Sequence, residues 1–159
     1  MKIYDYILLT TQEIPWMLHT SFYVAGCTRN CPECSWNTAE FSKEKPYELT
    51  EELYRKVLNK TRDWIKGVVF LGGEWDEPNL VKFLKIAIKE YGYETCLYTG
   101  CDTIEEIPKG ILDNLTYIKI GHYDKDLGPL TSKTTNQRFI RLSDNHCFNE
   151  EFYDKEELA

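Results

Sequence analysis

Three cysteines lie within eight residues near the start of the chain, at Cys27, Cys31 and Cys34. Their C-x3-C-x2-C spacing is compact enough for one loop to surround a single metal centre, and soft thiolates select iron-sulfur clusters, zinc or copper(I). Structural zinc and an all-cysteine 4Fe-4S cluster each take four protein ligands. Because no second pair of ligands follows at a matching spacing, a cluster held by these three thiolates keeps one iron open to a substrate.

Two further groups of small and polar residues directly follow predicted strands. Gly72, Gly73 and Glu74 close "GVVFLGG" and its turn, and Thr99 and Gly100 close "ETCLYTG". Strands that alternate with helices predict a parallel sheet with right-handed crossovers, in which the loops after the strands meet at one edge. We therefore expect the cysteine loop, the "GGE" turn and the "YTG" turn at the same edge of the sheet.

Five predicted strands and two predicted helices position these residues. The strands are "SFYVAG", "GVVFLGG", "ETCLYTG", "YIKIG" and "RFIRL". Thr50 caps a helix over "EELYRKVLNKTRDWI", and Pro78 and Gly92 bound a second helix over "NLVKFLKIAIKEYG". The buried face of the first helix is predicted to contain Leu53, Val57, Leu58, Trp64 and Ile65. Weak helical turns are expected around Pro108.

Length, composition and charge predict a single globular domain over residues 1–159, with an acidic tail from about residue 143. The formal net charge of -7 and the absence of a clustered basic face argue against a nucleic-acid partner. No segment has the length of a membrane span or the pattern of a secretory signal. We therefore expect a cytoplasmic protein without a membrane partner, in which thiols stay reduced and serve metal binding or catalysis.

The cysteine run after the first strand and the "GGE" turn after the second resemble the radical S-adenosylmethionine superfamily. The resemblance implies that Cys27, Cys31 and Cys34 hold a 4Fe-4S cluster whose open iron binds the amino and carboxyl groups of S-adenosylmethionine. It also implies that Gly72–Glu74 meets the methionine ammonium, since glycines let backbone carbonyls approach it and a carboxylate offsets its charge. Glu33 stands where many members place an aromatic residue against the adenine, so the adenine contact stays unassigned.

Four segments together are similar to the activating proteins of the anaerobic (class III) ribonucleoside-triphosphate reductase. They are "FYVAGCTRNCPECSWNTAEF", "FLGGEW", "LYTGCDTIEEI" and "IGHYDKDLGPLTSKTTNQRFIRL", and the similarity covers Ser21 to Leu142. The polar turn in "GPLTSKTTNQR" is the most specific of these features. The resemblance implies cofactor contacts at Thr99, Gly100 and Asn136, and no catalytic group beyond the cluster and the cofactor.

The implied reaction is the reductive cleavage of S-adenosylmethionine, with electrons from a one-electron donor such as flavodoxin. The resulting 5'-deoxyadenosyl radical would remove a hydrogen atom from one glycine of the reductase. The implied fold is α/β, a partial TIM-type (β/α) barrel of about five to six βα units, because a full barrel takes about 250 residues. A partial barrel has an open side, which suits a protein substrate that supplies the missing wall.

Two other functions remain open from the residues alone. A radical S-adenosylmethionine enzyme acting on a small molecule, similar to 7-carboxy-7-deazaguanine synthase, would use the same cluster and cofactor. A zinc-binding interaction module would use the three cysteines and a histidine. Outside the motifs, Cys96 is expected in the core, Cys101 near the site, and His122 in a structural role.

Overall fold

The computed structural model describes residues 1–27 and 45–153, so Cys31, Glu33 and Cys34 lie outside the described residues. The strands are β1 (Lys2–Thr10), β2 (His19–Val24), β3 (Tyr47–Glu48), β4 (Gly67–Leu71), β5 (Glu94–Tyr98), β6 (Tyr117–Ile120), β7 (Arg138–Arg141) and β8 (His146–Cys147). The helices are α1 (Glu51–Lys60), α2 (Glu77–Tyr91) and α3 (Lys109–Leu112), with 3-10 turns at Ile104–Glu106 and Asn149–Phe152. Within these ranges, every helix is too short or too polar to span a bilayer.

The eight strands form one mixed sheet in the order β3-β1-β2-β4-β5-β6-β7-β8. The central strands β2, β4, β5 and β6 run parallel, with Phe22 opposite Phe70 and Phe70 opposite Leu97. The strands on either side are antiparallel to their neighbours. Among the described residues the row is open, since no pairing joins β3 to β8. The partial barrel therefore stays a prediction.

Helix α1 begins as predicted and ends earlier than predicted. The Thr50 hydroxyl accepts a hydrogen bond from the Leu53 amide at 3.1 Å, which satisfies one of the free N–H groups of the first turn. At the other end, the carbonyl of Thr61 accepts hydrogen bonds from the amides of Trp64 and Ile65, so the chain turns toward β4. This turn buries Ile65 and leaves Trp64 65% exposed. The prediction that Trp64 lies on a buried helix face is wrong.

Helix α2 has the predicted bounds to within a few residues. Pro78 lies in its first turn, where a missing N–H costs no hydrogen bond, and Gly92 ends it with a left-handed φ of 67°. The apolar spacing of "NLVKFLKIAIKEYG" predicts one buried side with Leu80, Leu84, Ala87, Ile88 and Tyr91, and this is confirmed for Leu80, Leu84 and Ala87. Ile88 is 39% exposed and lies at the margin of this face.

One face of the sheet packs against the three helices, and we call it the helix-covered face. Its centre is a group of aromatic rings in which Phe22 and Phe70 stack at 5.2 Å and Tyr54 meets Phe83 edge-on at 4.8 Å between centroids. These four side chains are fully buried. The Tyr54 hydroxyl is the polar atom among them, and it has no hydrogen-bond partner in the described part of the chain.

Segments without an α-helix cover the opposite face, which we call the loop-covered face. Its core contains Ile14, Met17, Val69, Cys96, Tyr117, Leu130, Phe139 and Phe152. Trp16 closes this core from outside, with its ring centroid 5.6 Å from Phe139 and 4.8 Å from Phe148. Residues 13–17 therefore lie across the face that would form the interior of a barrel.

Buried polar contacts fix residues 13–17 in place. The His19 ring places Nε2 2.9 Å from the Glu13 carboxylate and Nδ1 2.9 Å from the Met17 carbonyl. Both side chains are at least 95% buried. Because a carbonyl only accepts, the Met17 contact assigns a donor role to Nδ1, which leaves Nε2 to the contact with Glu13. The Tyr98 hydroxyl donates to the Glu13 carbonyl and ties the same segment to β5.

The sheet differs from the sequence prediction in its strands and in one strand direction. Strands β1, β3 and β8 were not predicted, and each pairs antiparallel with its neighbours. Strand β7 pairs antiparallel with β6, so the predicted parallel arrangement is wrong there. A parallel connection needs a crossover of a dozen or more residues, usually helical, whereas residues 121–137 form turns that bring the chain back in the opposite direction.

Candidate functional site

The carboxyl ends of β2, β4, β5 and β6 form one edge of the sheet, which we call the site edge. Because these strands are parallel neighbours, the segments that follow them meet there. Cys27 follows β2 after two residues, and Gly72, Thr99 and Gly121 directly follow β4, β5 and β6. The predicted meeting of the "GGE" turn, the "YTG" turn and the start of the cysteine loop at one edge is confirmed.

The "GGE" turn is held by backbone hydrogen bonds on both sides. The Gly72 amide donates to the Tyr98 carbonyl at 2.8 Å, and the Gly73 carbonyl accepts from the Asp76 amide at 3.0 Å. Gly72 and Gly73 have φ of 90° and 111°, in the region that side chains disfavour. This backbone path brings Glu74 back over the end of β5.

The two carboxylate oxygens of Glu74 differ in their contacts with the described residues. Its Oε1 accepts a hydrogen bond from the Thr99 hydroxyl at 2.7 Å, and the Cys101 thiol lies 3.9 Å from the same oxygen. Its Oε2 is buried and has no hydrogen-bond partner among the described residues. A buried carboxylate oxygen without a donor is costly, so this arrangement favours a ligand that brings a donor or a positive charge.

The space beside the glycines is filled by the protein itself. A Cβ built on Gly72 would lie 2.7 Å from Cη2 of Trp75, and one on Gly26 would lie 3.1 Å from Nε1 of the same indole. A Cβ on Gly73 would lie 3.2 Å from the Met1 methyl group. The missing side chains thus make room for Trp75 and Met1. The fit of an ammonium ligand here depends on Glu74 and not on an open glycine cradle.

Thr99 and Gly100 lie together after β5 at the site edge, whereas Asn136 lies beyond the end of β6. Thr99 is buried, and besides holding Glu74 its hydroxyl accepts from the Cys101 amide at 3.0 Å. Gly100 is half-buried beside it. Asn136 lies past the end of β6 and donates to the His122 carbonyl at 3.1 Å, while its own Oδ1 is buried and has no partner within the described ranges. Their contact with a cofactor stays a prediction.

A hydrogen-bonded histidine and aspartate at this edge had no predicted role in the site. His122 Nδ1 lies 2.6 Å from Asp102 Oδ1, and the His122 amide donates to the same oxygen at 3.1 Å. Both side chains are about half exposed, 44% for His122 and 53% for Asp102. Each residue lies within a few positions of the end of a parallel strand, which is the signal that could have found them.

A buried lysine below the site edge was also missed. Lys119 on β6 is 8% exposed, and its ammonium donates to the Gly121 carbonyl at 3.2 Å and lies 5.6 Å from the centre of the Tyr98 ring. Gln137 donates to the same carbonyl at 3.3 Å. A lysine inside the apolar run "YIKIG" was the available signal, because lysines are rarely buried without partners.

The cysteines divide between core, site and surface. Cys96 is fully buried on β5 as predicted, and burial raises the pKa of its thiol well above the usual value. Cys101 is buried at the site edge beside Glu74, as expected from its place after the "TG" turn. Cys147 is exposed on β8, and Cys27 is half-buried. The roles of Cys31 and Cys34 as ligands fall outside the described residues.

This chain thus combines an α/β sheet with Cys27 and the half-buried carboxylate of Glu74 at one edge of its parallel strands, which is an arrangement suited to a metal cluster and a charged ligand. It belongs to the family described as the 4Fe-4S single cluster domain, whose model matches residues 18–147. Comparison with curated proteins and with solved structures found no match. The family supports the 4Fe-4S cluster that the cysteine spacing predicts.

Proposed function

We propose that this chain is a radical S-adenosylmethionine enzyme that forms a glycyl radical on a partner protein. Membership in a single-cluster 4Fe-4S family supports the cluster, and Cys27, Cys31 and Cys34 are the ligands that we propose for it. When bound, the reduced cluster and S-adenosylmethionine would supply a carbon radical able to remove a hydrogen atom. The chain's own residues bind and orient the cofactor and present it to the substrate.

The observation that carries this proposal is the buried Oε2 of Glu74, which has no hydrogen-bond partner among the described residues. Thr99 holds Oε1, so Oε2 is the oxygen left to accept a hydrogen bond from the methionine ammonium. The carboxylate lies at the same edge as Cys27, where the cysteine loop begins. A ligand between them would meet the cluster on one side and a negative charge on the other, which matches an amino acid bound through its ammonium group.

The packing of the loop-covered face supports a protein as the substrate. Residues 13–17, which include Trp16, fill the face on which a barrel enzyme would form a chamber for a small molecule. The site edge, in contrast, presents partly exposed side chains at Trp75, Asp102 and His122. A substrate that approaches from outside and covers this edge is more readily a loop of another protein than a small molecule held in a closed chamber.

We further propose that the partner is an anaerobic ribonucleoside-triphosphate reductase and that a flavodoxin-like protein supplies the electron. The support is the set of segments that resemble activating proteins, above all "GPLTSKTTNQR" with Asn136. Asn136 borders the site edge, and its buried Oδ1 has no hydrogen-bond partner in the described part of the chain. It is the residue of that segment that we propose as a cofactor contact.

The test is an anaerobic activation assay. The purified chain should contain about four irons with matching sulfide. After reduction, it is mixed with S-adenosylmethionine and a competent anaerobic reductase, and electron paramagnetic resonance should show the doublet of a glycyl radical. Cys31→Ala should abolish the doublet. Cleavage of S-adenosylmethionine without any doublet would favour a small-molecule enzyme, and colourless protein with one zinc would refute the proposal altogether.

A substitution at Glu74 tests the ammonium contact separately. Glu74→Gln keeps the shape of the side chain and removes its charge, so we expect S-adenosylmethionine to bind about tenfold to a hundredfold more weakly. Glu52→Gln is the matched control, because it removes the same charge from an exposed position on α1. Equilibrium dialysis measures both. Equal affinities in the two variants would contradict the role of Glu74.

A further inference from the structure

Trp75 spans the start of the cysteine loop and the "GGE" turn. The six-membered ring of its indole faces Gly72, where a built Cβ would lie 2.7 Å from Cη2. The five-membered ring faces Gly26, where a built Cβ would lie 3.1 Å from Nε1. Gly26 directly precedes Cys27, and Gly72 is two residues before Glu74. One side chain therefore touches both segments that carry the site.

The backbone pairing between β2 and β4 ends before it reaches the two segments that Trp75 contacts. The last paired residues of β2 and β4 are Tyr23 and Leu71, and the chain beyond them leaves the ladder. Gly26, with φ of 105°, and Gly72 both lie past this last pair. The Gly72 amide still donates to the Tyr98 carbonyl of β5, and the Ala25 amide donates to the Lys2 carbonyl of β1, so each segment is bonded to its outer neighbour. The Trp75 indole adds a side-chain contact that joins the two segments to each other, at glycines whose backbone is the most flexible.

We infer that Trp75 is a positioning residue that sets the distance between Cys27 and Glu74. This inference rests on the proposed function for its meaning, because the two residues would meet the cluster and the ammonium of the same cofactor. The indole is long enough to lie on both glycines at once, whereas a phenyl ring can cover only one of them. At 43% exposure, Trp75 is held by these contacts and not by burial in the core.

The first test uses the full-length chain before the cluster is introduced, so it does not depend on the cofactor. The rate at which a thiol reagent labels each cysteine is measured by mass spectrometry in Trp75→Ala, with Trp64→Ala as the matched control. Trp64 is an exposed tryptophan, 65% accessible, in the turn at the other end of β4. We expect Cys27 to react about fivefold faster or more in Trp75→Ala, because Gly26 and Cys27 then lose the indole contact and open locally.

Two other cysteines separate a local effect from general unfolding. Cys96 is fully buried and should stay protected in Trp75→Ala, and Cys147 is exposed and should react at an unchanged rate. Trp75→Phe should fall between the wild type and Trp75→Ala. An unchanged Cys27 rate overturns the inference. Equal acceleration of Cys96 also overturns it, since Trp75 would then support the whole fold.

The second test uses the chain with its cluster. S-adenosylmethionine is titrated against the electron paramagnetic resonance spectrum of the reduced cluster, and iron content is measured in parallel. With similar iron content, Trp75→Ala should need about tenfold more S-adenosylmethionine for half-saturation than Trp64→Ala, since small displacements of binding groups are costly. Equal half-saturation overturns the inference. A wild-type spectrum that never responds refutes the proposed function instead, while the labelling result still decides the role of Trp75.

Discussion

The two faces of the sheet both carry a buried core, and the two cores are built from different interactions. The helix-covered face consists mainly of aliphatic and aromatic side chains, with Phe22, Phe70 and Phe83 stacked at its centre. The loop-covered face combines an aromatic core with a buried Glu13–His19 pair and the hydrogen bond from the Tyr98 hydroxyl to Glu13. The helix-covered face relies mainly on apolar packing, with the buried Thr20 and Thr95 hydroxyls bonded to the Leu8 and Asn114 carbonyls. The loop-covered face also depends on buried polar contacts that hold a segment without regular structure.

This difference reflects what covers each face. A helix satisfies its own backbone groups and presents a continuous apolar surface, so it needs no polar anchor. A segment without regular structure, such as residues 13–17, needs hydrogen-bond partners for its backbone groups and contacts that hold it in one conformation. The Glu13 carbonyl accepts a hydrogen bond from the Tyr98 hydroxyl, and the Met17 carbonyl accepts one from Nδ1 of the His19 ring. Buried polar contacts therefore replace the regularity of a helix.

The largest effect is expected from removing a ring on the helix-covered face. Phe70→Ala deletes a fully buried side chain that stacks on Phe22 at 5.2 Å, and the cavity should lower the free energy of unfolding by about 3–5 kcal/mol. Chemical denaturation measures this change. Trp64→Ala, at an exposed position, is the control and should cost less than about 1 kcal/mol. Comparable losses in both variants would contradict the assignment of this core.

The next effect tests the polar anchor on the loop-covered face. Glu13→Leu replaces the carboxylate with an apolar side chain of similar size and removes the Glu13 contact of the buried His19 Nε2. We expect this to lower the free energy of unfolding by about 1–3 kcal/mol. Glu13→Gln can still exchange a hydrogen bond with the ring and should cost less. If both variants unfold at the same denaturant concentration as the wild type, the Glu13–His19 pair does not anchor the segment.

The elements of the helix-covered face could be predicted because their signals are local. Thr50 begins α1, Gly92 ends α2, and the apolar spacing between them identifies the buried residues. The loop-covered face could not be predicted in the same way, because Glu13 and Tyr98 are 85 residues apart in the chain. The end of α1 was misjudged since the apolar spacing continues to Trp64 although the chain has already turned.

The candidate site shows the same division between local and distant information. Gly72, Glu74 and Thr99 were placed at one edge from the positions of strand ends, which is a rule of topology. The bond from Thr99 to Glu74 and the packing of Trp75 on Gly26 depend on side-chain conformations that no spacing reveals. Motifs therefore located the site, while its internal contacts required the structure.

A single kind of substitution should have opposite effects on the two faces. Tyr98→Phe removes a hydroxyl that donates to Glu13, so it should lower the free energy of unfolding by about 1 kcal/mol. Tyr54→Phe removes a buried hydroxyl that has no partner among the described residues, so it should be neutral or stabilising by about 0.5–1 kcal/mol. Thermal or chemical denaturation decides this, and equal destabilisation by the two changes would show that the faces do not differ in this respect.

The smallest effect is a dependence on alkaline pH that arises on the loop-covered side. Burial, followed by the negative charge of Glu13 and its hydrogen bond, raises the pKa of Tyr23 from 10.0 to about 12. Because the folded chain favours the neutral phenol, the stability that Tyr23 contributes is complete below the unfolded pKa of 10.0 and is lost as the pH rises through about 12. The difference in tyrosinate absorbance between the wild type and Tyr23→Phe should show this late ionisation. In Glu13→Gln the same difference spectrum should move to lower pH, since the charge that opposes ionisation is gone. If Tyr23 ionises at the same pH in Glu13→Gln as in the wild type, Glu13 has no electrostatic influence on Tyr23, and burial and the charge of Asp5 control its pKa.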